Sequence, residues 1–254
     1  MKELCTLANF AIAQAQELGV SSSIHLDDFI FHFVVNHPCF SSKEEAVHYY
    51  FHDGRKSALL LSDILNDLGP HFQTSCNLLE FASGYGCVTR HLPLVMPYIN
   101  FTACDIHEEA IQFISKELGQ KAIISQSDPK NFKPSSKYDV IFSLSFFSHM
   151  PRTTWGQWIL AHYEQLNSKG ALIFTTHGLV SKEKEHLDFI MPEDGFWFEP
   201  ISEQMDLNTA EYGTAIVTKE FVEQEVLTQA GCSIHKYSPG FWWGHQDLYV
   251  VIKP

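Results

Sequence analysis

Apolar positions along the first part of the chain recur at helical spacing. Leu4, Leu7, Ala8, Ala11, Ile12, Ala15 and Leu18 share one face. Ser42 and Glu45 form a capping box, and Arg55 to Leu68 carries the same period to a stop at Gly69-Pro70. Residues 1–75 therefore predict a helical N-terminal extension without strands. From Asn77 the pattern changes to short apolar runs alternating with helical stretches, the alternation of a mostly parallel sheet with helices on both faces. Seven strands are predicted, over residues 77–81, 101–105, 122–125, 138–143, 171–176, 232–237 and 247–252. Helices are predicted over 107–118, over 155–166, and from the cap at Thr218 to Ala230, with a further one after residue 86. The last two strands are joined by Ser238 to Gln246, too short for a helical crossover, so they should pair antiparallel. The expectation is an α/β chain in two parts: a cap over 1–75 and a sheet domain over 76–254. Residues 178–216 interrupt the alternation with Glu, Pro, Gly and aromatics, and read as a lid or substrate-contacting insertion.

Composition narrows what such a domain can bind. The 254 residues carry a formal charge of −13 without a Lys/Arg run, which disfavours nucleic acid and anionic lipid surfaces. Cys5, Cys39, Cys76, Cys87, Cys104 and Cys232 are widely spaced, with no Cys/His cluster at zinc spacing. No metal site is expected from that spacing, and a reducing cytoplasmic setting is the simplest reading. Apolar runs are far shorter than the ~20 residues that cross a bilayer. Lys2 and Ala13-x-Ala15 faintly imitate a secretory signal, but Glu3, Asn9 and Gln14 interrupt it, and the amphipathic helix is the better account.

The strand at 77–81 runs into Ala82-Ser83-Gly84-Tyr85-Gly86, placing two glycines where the backbone must turn sharply and approach a ligand closely. Nineteen positions after Gly86, the next strand ends in Asp105, an acid suited to the hydroxyls of a ribose. A nucleoside-containing cofactor fits this order. Glu80 then decides which one, because its carboxylate would oppose the pyrophosphate of a dinucleotide. Two like charges ~4 Å apart cost about 4 kcal/mol at an effective dielectric near 20, whereas a helix N-terminus returns only ~0.3 to 1 kcal/mol. S-adenosylmethionine carries a sulfonium and an ammonium and no phosphate, so the same carboxylate favours it.

Leu79 to Gly86, followed by Cys104-Asp105-Ile106, resembles the class I S-adenosylmethionine-dependent methyltransferases, with Ala82 in place of the first glycine of the acid-x-Gly-x-Gly-x-Gly pattern. The resemblance extends over roughly residues 48–254 and implies a Rossmann-like, seven-stranded, mostly parallel sheet with an antiparallel last strand. It implies that Glu80, Ala82, Gly84, Tyr85, Gly86, Asp105 and Ile106 hold the cofactor. Ser127-Asp128 matches the family's adenine-contacting acid, and Tyr138 to Ser143 its fourth strand, with Ser143 at the cofactor end. Arg55 is a candidate for the methionine carboxylate, since its fork of donors suits that group. Phe146 to Pro151, Thr175 to Gly178 and Trp242 to Asp247 resemble a subgroup, type 12-like, acting on sugars or small metabolites. His149, His177 and His245 fall at the strand ends, where a general base for a hydroxyl acceptor would stand, His149 foremost. Trp197, Phe198, Tyr212, Trp242 and Trp243 offer flat surfaces for a substrate. The rivals are a non-catalytic S-adenosylmethionine-binding protein and an NAD-dependent oxidoreductase. Thr89 opposes the second, since it stands where G-x-G-x-x-G wants a small residue. The acceptor's identity, the attacking atom and the oligomeric state leave no mark in the sequence.

Overall fold

The computed structural model describes residues 2–202, 204 and 206–254, without the side chains of residues 2–6, so the expectations for Leu4 and Cys5 lie outside the described residues. The chain forms two compact units, Met1–Ser125 and Gln126–Pro254.

In the first unit, α1 (Lys2–Leu18), α2 (Phe29–Asn36) and α3 (Lys43–Leu68) supply the predicted helices. Asp28 caps α2 by accepting from the Phe31 N–H at 2.9 Å, and Ser42 caps α3 by accepting from the Glu45 N–H at 3.1 Å. Their apolar faces close on a core of Ala11, Ala15, Val47, Tyr50 and Phe51. Strands β1 (Asn77–Phe81), β2 (Asn100–Asp105) and β3 (Lys121–Ile124) follow, β2 pairing parallel with both others, and α5 (Glu108–Glu117) packs on β2 and β3. α3 lies hard against the segment after β1. A Cβ on Gly54 would stand 2.3 Å from the Cys87 carbonyl oxygen, so only glycine lets this helix reach that backbone.

The helix expected after Gly86 is instead a run of turns ending in the four-residue α4 (Leu92–Val95). Val88 and Thr89 are poor helix formers, Pro93 lacks a donor, and the Arg90 Nε donates to the Gly86 carbonyl at 3.1 Å alongside the Arg90 N–H.

In the second unit, β4 (Tyr138–Ser143) pairs parallel with β5 (Leu166–His177), and β9 (Gln246–Ile252) runs antiparallel to β5 from Ala171↔Ile252 to His177↔Gln246. These three are buried along nearly their whole lengths, as central strands covered on both faces must be. β8 (Lys236–Trp242) pairs antiparallel with β9, as the short connection required. It starts four residues later than predicted, because α8 (Lys219–Ala230) ends on a left-handed Gly231 and residues 232–235 are spent returning the chain. Pro239 is tolerated there because β8 pairs on one side only. α6 (Arg152–Glu164) begins at Pro151, earlier than the periodicity suggested. The stretch 178–216 contains α7 (Leu179–Lys184) and two further short strands. β7 (Thr214–Val217) is parallel to β5 through His177↔Ile216, and β6 (Phe196–Glu199) is antiparallel to β7. No described helix is long and apolar enough to cross a membrane.

Candidate active site

The end of β1 and the end of β2 bring two carboxylates together under the glycine loop. Glu80 is 5% exposed, and its Oε2 accepts from the Thr89 hydroxyl at 2.7 Å. Burial, reinforced by the neighbouring Asp105 charge, pushes its carboxyl up to about 8. Asp105 is wired into the loop itself. Its Oδ2 accepts from the Gly84 N–H at 2.8 Å, and its Oδ1 accepts from the His107 N–H at 3.1 Å and lies 2.7 Å from His107 Nδ1. Ser83 ties the same turn to β2 through its N–H and the Cys104 carbonyl at 3.1 Å.

Ala82, Gly84 and Gly86 have φ of 59°, 54° and 82°, so the loop needs left-handed backbone at every second position. Ala82 adopts it at the cost that a side chain imposes, ~1 to 2 kcal/mol. Ala82→Gly removes that cost while adding ~0.4 to 1 kcal/mol of chain entropy in the unfolded state. The expected net result is a small rise in stability, up to about 1 kcal/mol by denaturant unfolding. Lowered stability would show that the loop is not strained at residue 82.

A Cβ built on Gly84 meets nothing within 4 Å, so this face of the loop is open. Ile106, 37% exposed, stands beside Asp105 as an apolar surface. An acidic floor, an open backbone and an apolar flank are what an adenosyl group bearing a cationic sulfur requires. Tyr85 is turned away into packing, stacked on His25 at 4.6 Å and edge-on to Phe113. Arg55 is exposed on α3, bordering a shallow cavity with Leu18, Leu59, His91, Leu94 and Val95. The guanidinium built into the loop is that of Arg90. It donates to the carbonyls of Gly86, Ser21 and Ser23 and to the Tyr50 hydroxyl, which in turn donates to Asp28 at 2.6 Å. This network fastens the glycine loop to the N-terminal helices, a role that spacing alone did not reveal.

In the second unit, Ser127 and Asp128 are exposed, Asp128 accepting from the Lys130 N–H at 3.0 Å to cap a short turn. Ser143, at the end of β4, is fully buried with its hydroxyl lacking a hydrogen-bond partner, an orphaned polar atom that a ligand would satisfy. The three candidate histidines gather in this unit. His149 and His177 have ring centroids 6.1 Å apart, and His177 and His245 5.5 Å apart. His149 Nδ1 lies 2.8 Å from the Gly213 carbonyl, which can only accept, so Nδ1 carries the proton and Nε2 the lone pair. Its ring stacks on Tyr212 at 4.5 Å. The backbone of the 178–216 stretch clamps the same loop, Gly213 and Ala215 donating to the carbonyls of His149 and Ser148 at 2.9 and 2.8 Å. His177 is pushed down to about 3 by burial and by the other two histidines. Its Nε2 meets the Gln246 side chain at 3.1 Å; Gln246 also joins Thr175 and Ser145. Among the aromatics, Trp242 is core, against Phe142, while Trp197 stacks on Phe189 at 4.1 Å and is half-buried, as are Phe198 and Trp243. Gln246 lies inside the Trp242 to Asp247 segment, where spacing gives it no role, and Glu185, beside His245, carries no signal in the sequence because it is brought in by a short helix.

Residues 79–172 match a family model described as a methyltransferase domain. No curated protein matches the chain. Among solved structures, the glycopeptide N-methyltransferase MtfA complexed with S-adenosyl-L-homocysteine superposes with a TM-score of 0.56 at 13% identity, covering 80% of this chain and 88% of that one. CalS10, an amino pentose methyltransferase from Micromonospora echinaspora, gives 0.55 at 13% identity over 79% and 92%. A S-adenosylmethionine-dependent methyltransferase from Clostridium acetobutylicum gives 0.53 at 16% identity over 80% and 92%. At these identities the likeness is one of fold.

Proposed function

Because the chain carries a methyltransferase domain in the fold of the S-adenosylmethionine-dependent enzymes, we propose that it methylates a small-molecule acceptor, a hydroxyl of a sugar or metabolite. The observation that carries this reading is the pair of buried carboxylates beneath an open, left-handed glycine loop. S-adenosylmethionine, when bound, supplies an electrophilic methyl group on a positively charged sulfur.

Each residue then has a defined task. Glu80, whose buried carboxyl is pushed up to about 8, supplies negative charge to the cationic sulfur on releasing its proton, in a desolvated site where that charge acts more strongly than in water. Asp105 fixes the loop through the Gly84 N–H and keeps acceptor capacity for ribose hydroxyls. Gly84 admits the ligand against the backbone, and Ile106 offers an apolar face to the adenine. Ser127, Asp128 and Ser143 are the second unit's candidates for polar contacts to the cofactor, and Arg55 is a candidate for the methionine carboxylate. His149 holds a fixed tautomer with Nε2 as the base that takes the acceptor's proton. His177 and His245 complete the imidazole cluster. Residues 178–216 act as the substrate-contacting segment, and residues 1–75 as a cap that braces the loop through Arg90 and Gly54.

Solved proteins of this fold include those described as acting on an amino pentose, a glycopeptide and a demethylated toxoflavin, which supports a small acceptor. Transfer of label from methyl-tritiated S-adenosylmethionine across a panel of sugars, phenols and amines tests the reading. Label recovered in a small hydroxylated acceptor is expected, and label recovered only in added protein or nucleic acid would contradict it.

A further inference from the structure

His177, Glu185 and His245 converge in the second unit although they come from three elements: the end of β5, the C-cap of α7, and the turn between β8 and β9. One ligand-capable atom from each lies within 4.8 Å of the others. We propose that these three side chains form a site for a divalent transition metal of the zinc class, a property additional to methyl transfer that shares His177 and His245 with the imidazole cluster.

Four observations support it. First, the donor set is two imidazoles and a carboxylate, which suits zinc and leaves a fourth position open for water or an oxygen ligand. Second, His177 is 9% exposed, its Nε2 is taken up by Gln246, and its Nδ1 is buried with no hydrogen-bond partner. A buried imidazole nitrogen left orphaned is costly unless something else occupies it, and a metal ion does. Third, His245 Nδ1, which the Ser181 hydroxyl meets at 3.3 Å, stands 3.7 Å from Glu185 Oε1, too long for a hydrogen bond between those two. Two ligands at ~2.0 to 2.1 Å on one tetrahedral zinc stand about 3.3 Å apart, so a small side-chain rotation closes the site. Fourth, Gln246 stands behind His177 in the position of an outer partner. Its oxygen accepts from the Thr175 hydroxyl and its amide donates to the Ser145 hydroxyl, so Gln246 is itself held in place to orient the His177 ring. Lys184, whose charge bears on His245, is the opposing cation, and it lies on a short surface helix from which its long side chain can swing away.

The test uses the full-length protein, stripped with a chelator and titrated with Zn²⁺ against a chromophoric indicator, then with Co²⁺ for its visible spectrum. The expected result is one tight equivalent per chain, with a nitrogen- and oxygen-ligated tetrahedral Co²⁺ spectrum. Glu185→Gln and His245→Ala, both partly exposed and tolerant of replacement, each weaken Zn²⁺ binding about 100-fold or more, since even losing an outer-sphere partner costs 10- to 100-fold. His177→Ala does the same if it folds, as judged by circular dichroism. Binding unchanged in the Glu185 and His245 variants, or a Co²⁺ spectrum showing thiolate ligation, overturns the proposal and assigns the metal to surface histidines or cysteines.

Discussion

Alanine at position 149 lowers methyl-transfer turnover by about 10²- to 10⁴-fold, the usual worth of a positioned general base, while affinity for S-adenosylmethionine stays close to that of the wild type. The expectation follows from the Gly213 carbonyl, which orders the imidazole so that Nε2 bears the lone pair, and from Tyr212, which fixes the ring plane. Removing the ring also removes a donor to Gly213, so His149→Asn is the sharper variant. Its amide can still donate to that carbonyl and hold the loop, but it cannot take a proton near neutral pH. Both variants should be slow. Full turnover in His149→Asn would remove His149 from the chemistry.

The second large effect lies at Glu80. Its buried carboxyl holds a proton up to about pH 8, against an ordinary value of 4.5. A cationic ligand is attracted to the ionised form, so below pH 8 binding S-adenosylmethionine must displace that proton. Affinity should therefore rise with pH between 6 and 8, by at most about tenfold per unit, with up to one proton released per ligand. Glu80→Gln should flatten this dependence and weaken binding at the alkaline end about 10- to 100-fold, as expected for a charge-assisted contact worth ~1.5 to 3 kcal/mol. The ligand-free protein should show the opposite trend. Its folded state holds a proton that the unfolded chain releases above about pH 4.5, so this contribution to stability is complete below that pH and is lost as pH rises through 8. Thermal unfolding of the wild type and of Glu80→Gln, with and without S-adenosylmethionine, separates the two slopes.

The elements legible in the sequence were those whose signal is local. β1, β2, β4 and β9 are continuous apolar runs bounded by turn residues, and each lies within one residue of its expected limits. The cap at Thr218 and the stop at Gly231 likewise carry their own chemistry. What spacing did not reveal depends on partners. β6 and β7 are four residues each and become strands through pairing with one another and with β5 at His177, which the aromatic, Pro-rich stretch around them conceals. β8 contains Pro239 and Gly240, which read as loop until β9 supplies the ladder. In the candidate site, Glu80, Gly84 and Asp105 stand out because a strand end, a glycine turn and a second strand end are fixed by sequence order. Arg55 was legible as a candidate from its helical stretch, whereas only the packing shows that Arg90 is the buried guanidinium beside the loop. Glu185 and Gln246 became visible only when three distant segments were brought side by side.

The acidic cradle under the glycine loop should accept a cationic adenosyl donor and refuse a dinucleotide. Calorimetric titration of the full chain with S-adenosylmethionine and, separately, with NADH at pH 8 tests it most directly. Saturable binding of the former at one per chain and no heat from the latter are expected. Tight binding of NADH, or no uptake of S-adenosylmethionine at millimolar concentration, would contradict it.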